Sequence, residues 1–259
     1  MQVFFHNKYL ENYAMDPAAE RGRLDPTLEL IRENEDFYEI KKPKKAKKKD
    51  ILRAHTQSHY RRYKNRKQLY EVAMLGAGGA IETAKYAYRY KTAAFGLIRP
   101  PGHHASADSA WGFCFYNNMA ISLLHLHAKR LISSAFILDF DLHRGDGNIN
   151  ILQSREDLKV DILNPSAPTE EQYLDIVRNK LNEISEADII AVSAGFDQGK
   201  GDWGNLLSPD AYRKMGKWLK EKSLNLCQGR RFAILEGGYS FNRVAINFDS
   251  FCQGFADKP

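Results

Sequence analysis

Cysteine and long apolar runs are both scarce in this sequence. Its three cysteines, Cys114, Cys227 and Cys252, are odd in number and lack any C-x-x-C spacing, which argues against a disulfide framework and a cysteine zinc site. No apolar run approaches the roughly 20 residues that span a bilayer, so no membrane partner is expected. The stretch from Met1 to His6 also lacks the basic and apolar regions of a secretory signal, and we therefore predict a cytoplasmic location.

The bulk composition is that of a soluble globular protein, with 43% hydrophobic and 27% charged residues. A length of 259 residues without repeats or linkers predicts one domain over 1–259. The net charge of +6 is concentrated partly in Lys41–Lys49, where only Pro43 and Ala46 interrupt seven lysines. Because no aromatic residues alternate with these lysines, we interpret the run as a solvated loop and predict no nucleic-acid partner.

Short apolar runs alternate with longer segments of helical periodicity. The runs predict buried strands at Gln2–Phe5, Ala93–Ile98, Ala135–Phe140, Val160–Leu163, Ile189–Ala194 and Phe232–Leu235. The intervening segments predict helices at Leu69–Tyr90, Asn117–Lys129, Thr169–Ser185, Pro209–Leu226 and Phe241–Phe255. This alternation predicts an α/β fold with a mainly parallel central sheet and helices on both faces.

Polar clusters follow four of the predicted strands. They are residues 99–104, 139–146, 193–197 and 236–239, which contain histidines, carboxylates and a tyrosine. Ligands of open parallel sheets bind outside the carboxyl ends of the strands. The four clusters therefore predict one site at a single edge of the sheet.

Asp141, His143 and Asp197 are the candidate metal ligands. Side chains two residues apart in an extended segment point the same way, so Asp141 and His143 can approach one ion. Asp197 from another strand completes three protein ligands and leaves positions open, as in catalytic zinc sites. Ferrous iron and cobalt accept the same oxygen and nitrogen ligands, so the metal stays open at this point.

Two adjacent histidines and a tyrosine are the candidates for proton transfer and oxyanion stabilisation. His103 and His104 follow Pro100, Pro101 and Gly102, where an irregular loop can aim both rings inward. Their remote ring nitrogens need acceptors, and the segment 139–146 has carboxylates in addition to Asp141. Tyr239, after two glycines, can offer its hydroxyl to a developing oxyanion.

Five ordered blocks resemble the signatures of the histone deacetylase superfamily, most closely its class II and bacterial amidohydrolase branches. They are Arg99-Pro-Pro-Gly-His-His-Ala105, Gly112-Phe-Cys-Phe-Tyr-Asn-Asn118, Asp139-Phe-Asp-Leu-His143, Ser193-Ala-Gly-Phe-Asp197 and Leu235-Glu-Gly-Gly-Tyr239. The resemblance covers nearly the whole chain and implies the single-domain arginase/deacetylase-like fold. It implies zinc-dependent hydrolysis of an N-acetyl amide in an acetylated protein, peptide or small amine, releasing acetate and a free amine.

The resemblance also assigns roles residue by residue. It implies zinc ligation by Asp141, His143 and Asp197. It implies that Asp139 holds His103 and that Asp146 holds His104. In the substrate slot it implies that the Gly112 carbonyl accepts the N–H of the substrate amide and that the Phe113 ring lines the slot. It also implies that Tyr239 polarises the carbonyl of the substrate amide.

Three departures from the family pattern concern the surroundings of this site. Arg144 and Asn164 replace a histidine and a serine near the family's potassium site, so a bound K⁺ is an open expectation. Only five residues separate Leu163 from Thr169, where relatives have a longer loop that forms one wall of the substrate tunnel. We therefore expect a shallow, open cleft, unless the Lys41–Lys49 run or a second subunit supplies the wall. Residues 20–23 match a family segment only loosely and receive no role.

Other functions fit parts of the sequence. An acetylpolyamine or other small acyl-amine amidohydrolase would use the same fold and metal. A catalytically silent acyl-binding module would not need the paired histidines and Tyr239. Arginase-like ureohydrolase chemistry requires a two-manganese cluster, whose additional ligands this sequence lacks. The glycine-rich residues 76–80 lack the lysine and serine or threonine of a P-loop and lie in a helical pattern, which favours close helix packing.

Overall fold

Seven parallel strands make up the central sheet of this computed structural model, which describes residues 1–153 and 155–256. The strands are β1 (Gln2–Phe4), β2 (Glu39–Lys41), β3 (Ala93–Gly96), β4 (Ser134–Asp139), β5 (Lys159–Leu163), β6 (Ile190–Ala194) and β7 (Arg231–Leu235). Their order is β2-β1-β3-β7-β6-β4-β5, and every neighbouring pair is parallel. The predicted parallel α/β architecture is confirmed. The predicted domain over 1–259 also includes Ser154 and residues 257–259, which lie outside the described residues.

The central strands β3, β4, β6 and β7 are buried along their whole length. A strand with helices on both faces of the sheet has no solvated side, so its sequence is a continuous apolar run instead of an alternating one. Six of the strands were predicted from such runs. The strand β2 was not predicted because it lies at the sheet edge and its residues, Glu39–Lys41, are exposed or half-buried.

Helices cover both faces of the sheet. Their bounds are α1 (Asp25–Glu33), α2 (Lys48–Ile51), α3 (Gln57–Arg62), α4 (Lys67–Tyr90), α5 (Asn118–Ala128), α6 (Asp146–Asn148), α7 (Glu170–Glu183), α8 (Pro209–Cys227) and α9 (Phe241–Phe255). Neighbouring residues of β3 show the two faces, because side chains alternate along a strand. The Phe95 ring lies 4.8 Å from that of Phe248 on α9, whereas a Cβ at Gly96 would lie 2.9 Å from Thr83 Oγ1 on α4.

The strands β3, β7, β6 and β4 are neighbours in the sheet, in that order. Because all four are parallel, their carboxyl ends meet at one edge, where the four polar clusters of the sequence follow them. None of the helices within the described ranges is long and apolar enough to cross a membrane.

Candidate active site

The three predicted metal ligands lie together at this edge. One ligand atom from each of Asp141, His143 and Asp197 falls within 4.8 Å of the other two. Nδ1 of His143 lies 3.2 Å from Asp141 Oδ1 and 3.4 Å from Asp197 Oδ2. The expectation that Asp141 and His143 belong to an extended segment is wrong, because β4 ends at Asp139. A bend brings them together instead, with the His143 backbone N–H donating to Asp141 Oδ1 at 2.9 Å.

The environment of the two carboxylates fits a divalent cation. Asp141 Oδ2 accepts the Gly237 N–H at 2.8 Å and Asp197 Oδ1 accepts the Leu142 N–H at 3.0 Å, which fixes both groups. Asp197 Oδ2 is buried and lacks a hydrogen-bond donor within the described residues. A Cβ at Gly237 would lie 2.5 Å from that oxygen, so only glycine leaves room for it.

Electrostatics also favour a cation at this position. Burial, followed by the charge of Asp141, raises the pKa of Asp197 to about 6. The adjacent carboxylates, first Asp141 and then Asp197, raise the pKa of His143 to about 10. The paired carboxylates thus attract a proton to His143, and a metal ion at the same position would satisfy them instead.

Each histidine of the predicted tandem pair has its own carboxylate. Nδ1 of His103 lies 3.2 Å from Asp139 Oδ2, and Nδ1 of His104 lies 2.7 Å from Asp146 Oδ1. Both rings are buried, and their centroids are 4.0 Å apart. Of the two carboxylates, Asp139 is fully buried at the end of β4, whereas Asp146 is half-buried at the start of α6. The pairing of histidines with carboxylates therefore matches the expected one.

The two rings differ in proton affinity. Burial alone would lower the pKa of His103, but the charges of Asp141 and Asp139 outweigh it and raise this pKa well above its ordinary value. Burial, followed by the positive charge of His103, lowers the pKa of His104 to about 4. Adjacent groups whose environments push their pKa values apart can serve as proton donor and proton acceptor.

The predicted substrate-slot residues border the histidines and Tyr239. Gly112 and Phe113 both have positive φ angles, 59° and 64°. A Cβ at Gly112 would overlap the His104 ring, so the backbone can approach this ring only at a glycine. The Phe113 ring meets the Tyr239 ring edge-on with centroids 5.9 Å apart.

Arg23 and Glu236 support this site, although the sequence did not single them out. Glu236 is buried, and its Oε2 accepts the backbone N–H of Gly102 at 2.6 Å and of His103 at 3.2 Å. Arg23 is also buried and donates to the backbone carbonyl oxygens of Glu236 at 2.6 Å and Gly238 at 2.8 Å. Glu236 lies within the block Leu235–Tyr239 that resembles a family signature, and this position in the sequence could have indicated its role.

Two half-exposed tryptophans form the rim of the site and were also missed. The Trp111 ring lies over His104 with centroids 3.8 Å apart, and its Nε1 donates to Asp146 Oδ2 at 2.8 Å. Trp203 stacks on Tyr239 and meets His143 edge-on at 6.2 Å. The exposed fractions of Trp111 and Trp203 are 54% and 52%, which leaves part of each indole available for contact.

A cleft of about 530 Å³ opens beside the metal-ligand cluster. Its lining includes Asp141, His143, Arg144 and the short connection that begins at Asn164. Arg144 makes no ion pair within residues 1–153 and 155–256. Asn164 Nδ2 donates to the Asp139 carbonyl at 3.2 Å. The Lys41–Lys49 run does not line this cleft, so it does not supply the missing wall.

Comparison with known proteins finds a matching family model, related sequences and a similar solved structure. The family model described as the histone deacetylase domain matches residues 18–164 and 155–255. A protein of Archaeoglobus fulgidus named "Probable deacetylase" is 30% identical over 92% of this chain and 81% of its own length. The acetylpolyamine amidohydrolase of Burkholderia pseudomallei is 26% identical over 72% of this chain and 63% of its own length. The crystal structure of the HDA15 HD domain superimposes with a TM-score of 0.86 at 22% identity, covering 98% of this chain and 89% of that one.

Proposed function

Because this chain belongs to the histone deacetylase family, we propose that it hydrolyses an N-acetyl amide at a zinc ion held by Asp141, His143 and Asp197. The observation that carries the proposal is the proximity of the histidine–carboxylate pairs to the metal-ligand cluster. The carboxylate-paired histidines adjoin the three-ligand cluster, with His103 Nε2 3.7 Å from Asp141 Oδ1. A binding protein needs neither a proton-transfer pair nor an open metal.

Asp141, His143 and Asp197 would hold a zinc ion, which would supply a Lewis acid for the acetyl carbonyl and for a water molecule. The protein side chains then manage protons. The tandem pair, His103 and His104, takes a proton from the attacking water and returns a proton to the leaving amine nitrogen. Asp139 and Asp146 fix the tautomer and orientation of the rings through their Nδ1 atoms.

The remaining residues position the amide. The Tyr239 hydroxyl donates a hydrogen bond to the carbonyl oxygen as negative charge develops on it. Burial raises the pKa of this hydroxyl far above its ordinary value, so it stays a donor at every physiological pH. The Gly112 carbonyl accepts the amide N–H, and Phe113 packs against the methylene chain next to the amide. Acetate and a free amine leave.

Two observations favour a small acyl-amine, such as an acetylpolyamine, as the alternative substrate. Only five residues connect Leu163 to Thr169, so this connection offers little wall for a peptide-bound lysine chain. The exposed parts of Trp111 and Trp203 offer indole surface, which attracts amine cations. We propose no role for a K⁺ ion.

The test is a substrate panel at equal enzyme concentration: an acetyl-lysine peptide, acetylputrescine and acetylspermidine. We expect acetate release from at least one, its loss on chelation, and its recovery with one equivalent of zinc. Parallel reconstitution with ferrous iron without oxygen decides between the two metals. Stoichiometric metal binding without turnover of any substrate would contradict the proposal and favour the silent acyl-binding module.

A further inference from the structure

The lysine run is an ordered part of the fold. We call residues 41–49 the basic segment. Its two non-lysine residues, Pro43 and Ala46, are buried, whereas Lys42, Lys44 and Lys45 are exposed. The buried residues Pro43 and Ala46 are three positions apart, and the two lysines between them point outward. This pattern is typical of an extended chain with three residues per turn. The segment therefore presents its charges in a fixed pattern.

Contacts with α4 anchor the backbone of the basic segment. The Ala46 N–H donates to the Met74 carbonyl at 2.9 Å. A Cβ at Gly78 would overlap the Lys44 carbonyl oxygen and would lie 2.7 Å from Ala46 N. The segment thus lies directly against helix backbone, which is possible only because position 78 is glycine. The expected solvated loop is correct for the lysine side chains but wrong for the anchored backbone.

The basic segment forms one wall of a cleft of about 660 Å³, which we call the basic cleft. The other walls come from α4 and from the end of α5. Seven cationic side chains line it: Lys44, Lys45, Lys47, Lys49, Arg53, Lys85 and Lys129. The only carboxylates in this lining are Asp50 and Glu82. The lining therefore has an excess of five positive charges, whereas the whole chain carries +6.

Most of this charge has no counter-ion among the described residues, although Glu71 pairs with Lys45. Asp50 lies 3.5 Å from Arg53, and Glu82 lies 2.9 Å from Lys85, so both lining carboxylates are already engaged. Lys44, Lys47, Lys49 and Lys129 make no ion pair within the described part of the chain. Clefts lined by one sign of charge focus the field and concentrate ions of the opposite sign.

We propose that the basic cleft binds an anion that carries several phosphate groups. Lysine ammonium groups act as compact point charges that bind phosphate without a fixed geometry. One phosphate cannot neutralise the four unpaired lysines, so a polyphosphate matches the cleft better than a single anion. Two sources share this chemistry: a free polyphosphate and the backbone of a nucleic acid. None of the residues of the metal-ligand cluster lines this cleft, so the proposal is independent of deacetylation.

The test compares two double variants that change the net charge equally. Lys44→Glu with Lys49→Glu reverses two charges of the basic cleft. Lys64→Glu with Lys67→Glu reverses two exposed charges elsewhere and serves as the matched control. Binding of tripolyphosphate to the full chain is measured by calorimetry at about 50 mM and about 200 mM salt. A single-stranded oligonucleotide is then tested as a competitor, and circular dichroism verifies the fold of each variant.

We expect saturable binding that weakens with salt, at least about tenfold weaker binding in the cleft variant and less than about twofold change in the control. Competition by the oligonucleotide would identify a nucleic-acid backbone as the source, and its absence a free polyphosphate; both support the site. Absence of saturable binding to the unmodified chain at low salt would overturn the proposal. Equal weakening in both double variants would overturn it as well, because it would show only a general charge effect.

Discussion

Trp203 lies face to face with Tyr239, with ring centroids 4.0 Å apart and 25° between the ring planes. Asp202, the residue before Trp203, holds the backbone of the same tyrosine. Its Oδ2 accepts the N–H groups of Tyr239 and Ser240, both at 2.7 Å. One turn therefore fixes both the ring and the main chain of the proposed oxyanion donor. A donor fixed before the reaction needs no reorganisation when charge develops.

We predict that Tyr239→Phe retains metal and fold but lowers kcat by roughly 100-fold or more, since one oxyanion donor supplies about 3 kcal/mol of transition-state stabilisation. The ring and its stacking on Trp203 remain, so only the hydroxyl is tested. Steady-state kinetics on the best substrate of the panel measure the effect. Tyr90→Phe, at an exposed tyrosine, is the control. An unchanged kcat would mean that Tyr239 is not a catalytic donor.

Removal of one metal ligand is expected to abolish both bound zinc and activity. His143→Ala and Asp197→Ala each leave two protein ligands, which is fewer than catalytic zinc sites use. Elemental analysis of the purified variants measures the metal content directly. His127→Ala removes a histidine on α5 that contacts Asp157 instead of the cluster, and we expect full metal content there. Full occupancy in either ligand variant would refute the assigned site.

The pH dependence of stability tests the buried Glu236. Burial raises the pKa of Glu236 to about 7 from its ordinary value of 4.5. Between these values the folded, metal-free chain binds more protons than the unfolded chain, so the free energy of unfolding falls as pH rises. The contribution of Glu236 is complete below pH 4.5 and is lost as pH rises through about 7. It amounts to about 3 kcal/mol.

The measurement is denaturant unfolding of the metal-free protein across this pH range, compared with Glu236→Gln. The glutamine is neutral at every pH. Between pH 4.5 and about 7, the free energy of unfolding of Glu236→Gln should therefore fall by about 3 kcal/mol less than that of the unmodified chain. Glu33→Gln, at an exposed position on α1, controls for the loss of one carboxylate. Parallel curves for the unmodified chain and Glu236→Gln would show that this carboxylate does not titrate in the window.

Sequence patterns predicted the fold, and the residues that meet in the candidate metal-ligand cluster, more completely than the contacts that support them. Buried parallel strands leave a local signature, and the polar residues at their ends, from His103 to Tyr239, are close in space because the sheet order places them there. The roles of Arg23 and Trp203 depend on neighbours distant in sequence. A buried arginine looks like any other charged residue until the carbonyl oxygens that satisfy it, of Glu236 and Gly238, are located.

The short connection after Leu163 leads to the last prediction, which concerns selectivity. Five residues separate Leu163 from Thr169, and this connection lines the cleft of about 530 Å³ beside Asp141 and His143. A fully enclosed methylene contributes about 0.8 kcal/mol, which corresponds to about a fourfold change in affinity. In a series of N-acetyl alkylamines we expect KM to improve by clearly less than that factor per added methylene. The kcat values should stay similar across the series, because the metal, the histidines and Tyr239 act on the same amide. The same openness predicts kcat/KM values for acetylputrescine and an acetyl-lysine peptide within about tenfold of each other, a difference of about 1.4 kcal/mol or less. A fourfold step at every methylene, or a strong preference for the peptide, would show instead that the substrate is enclosed.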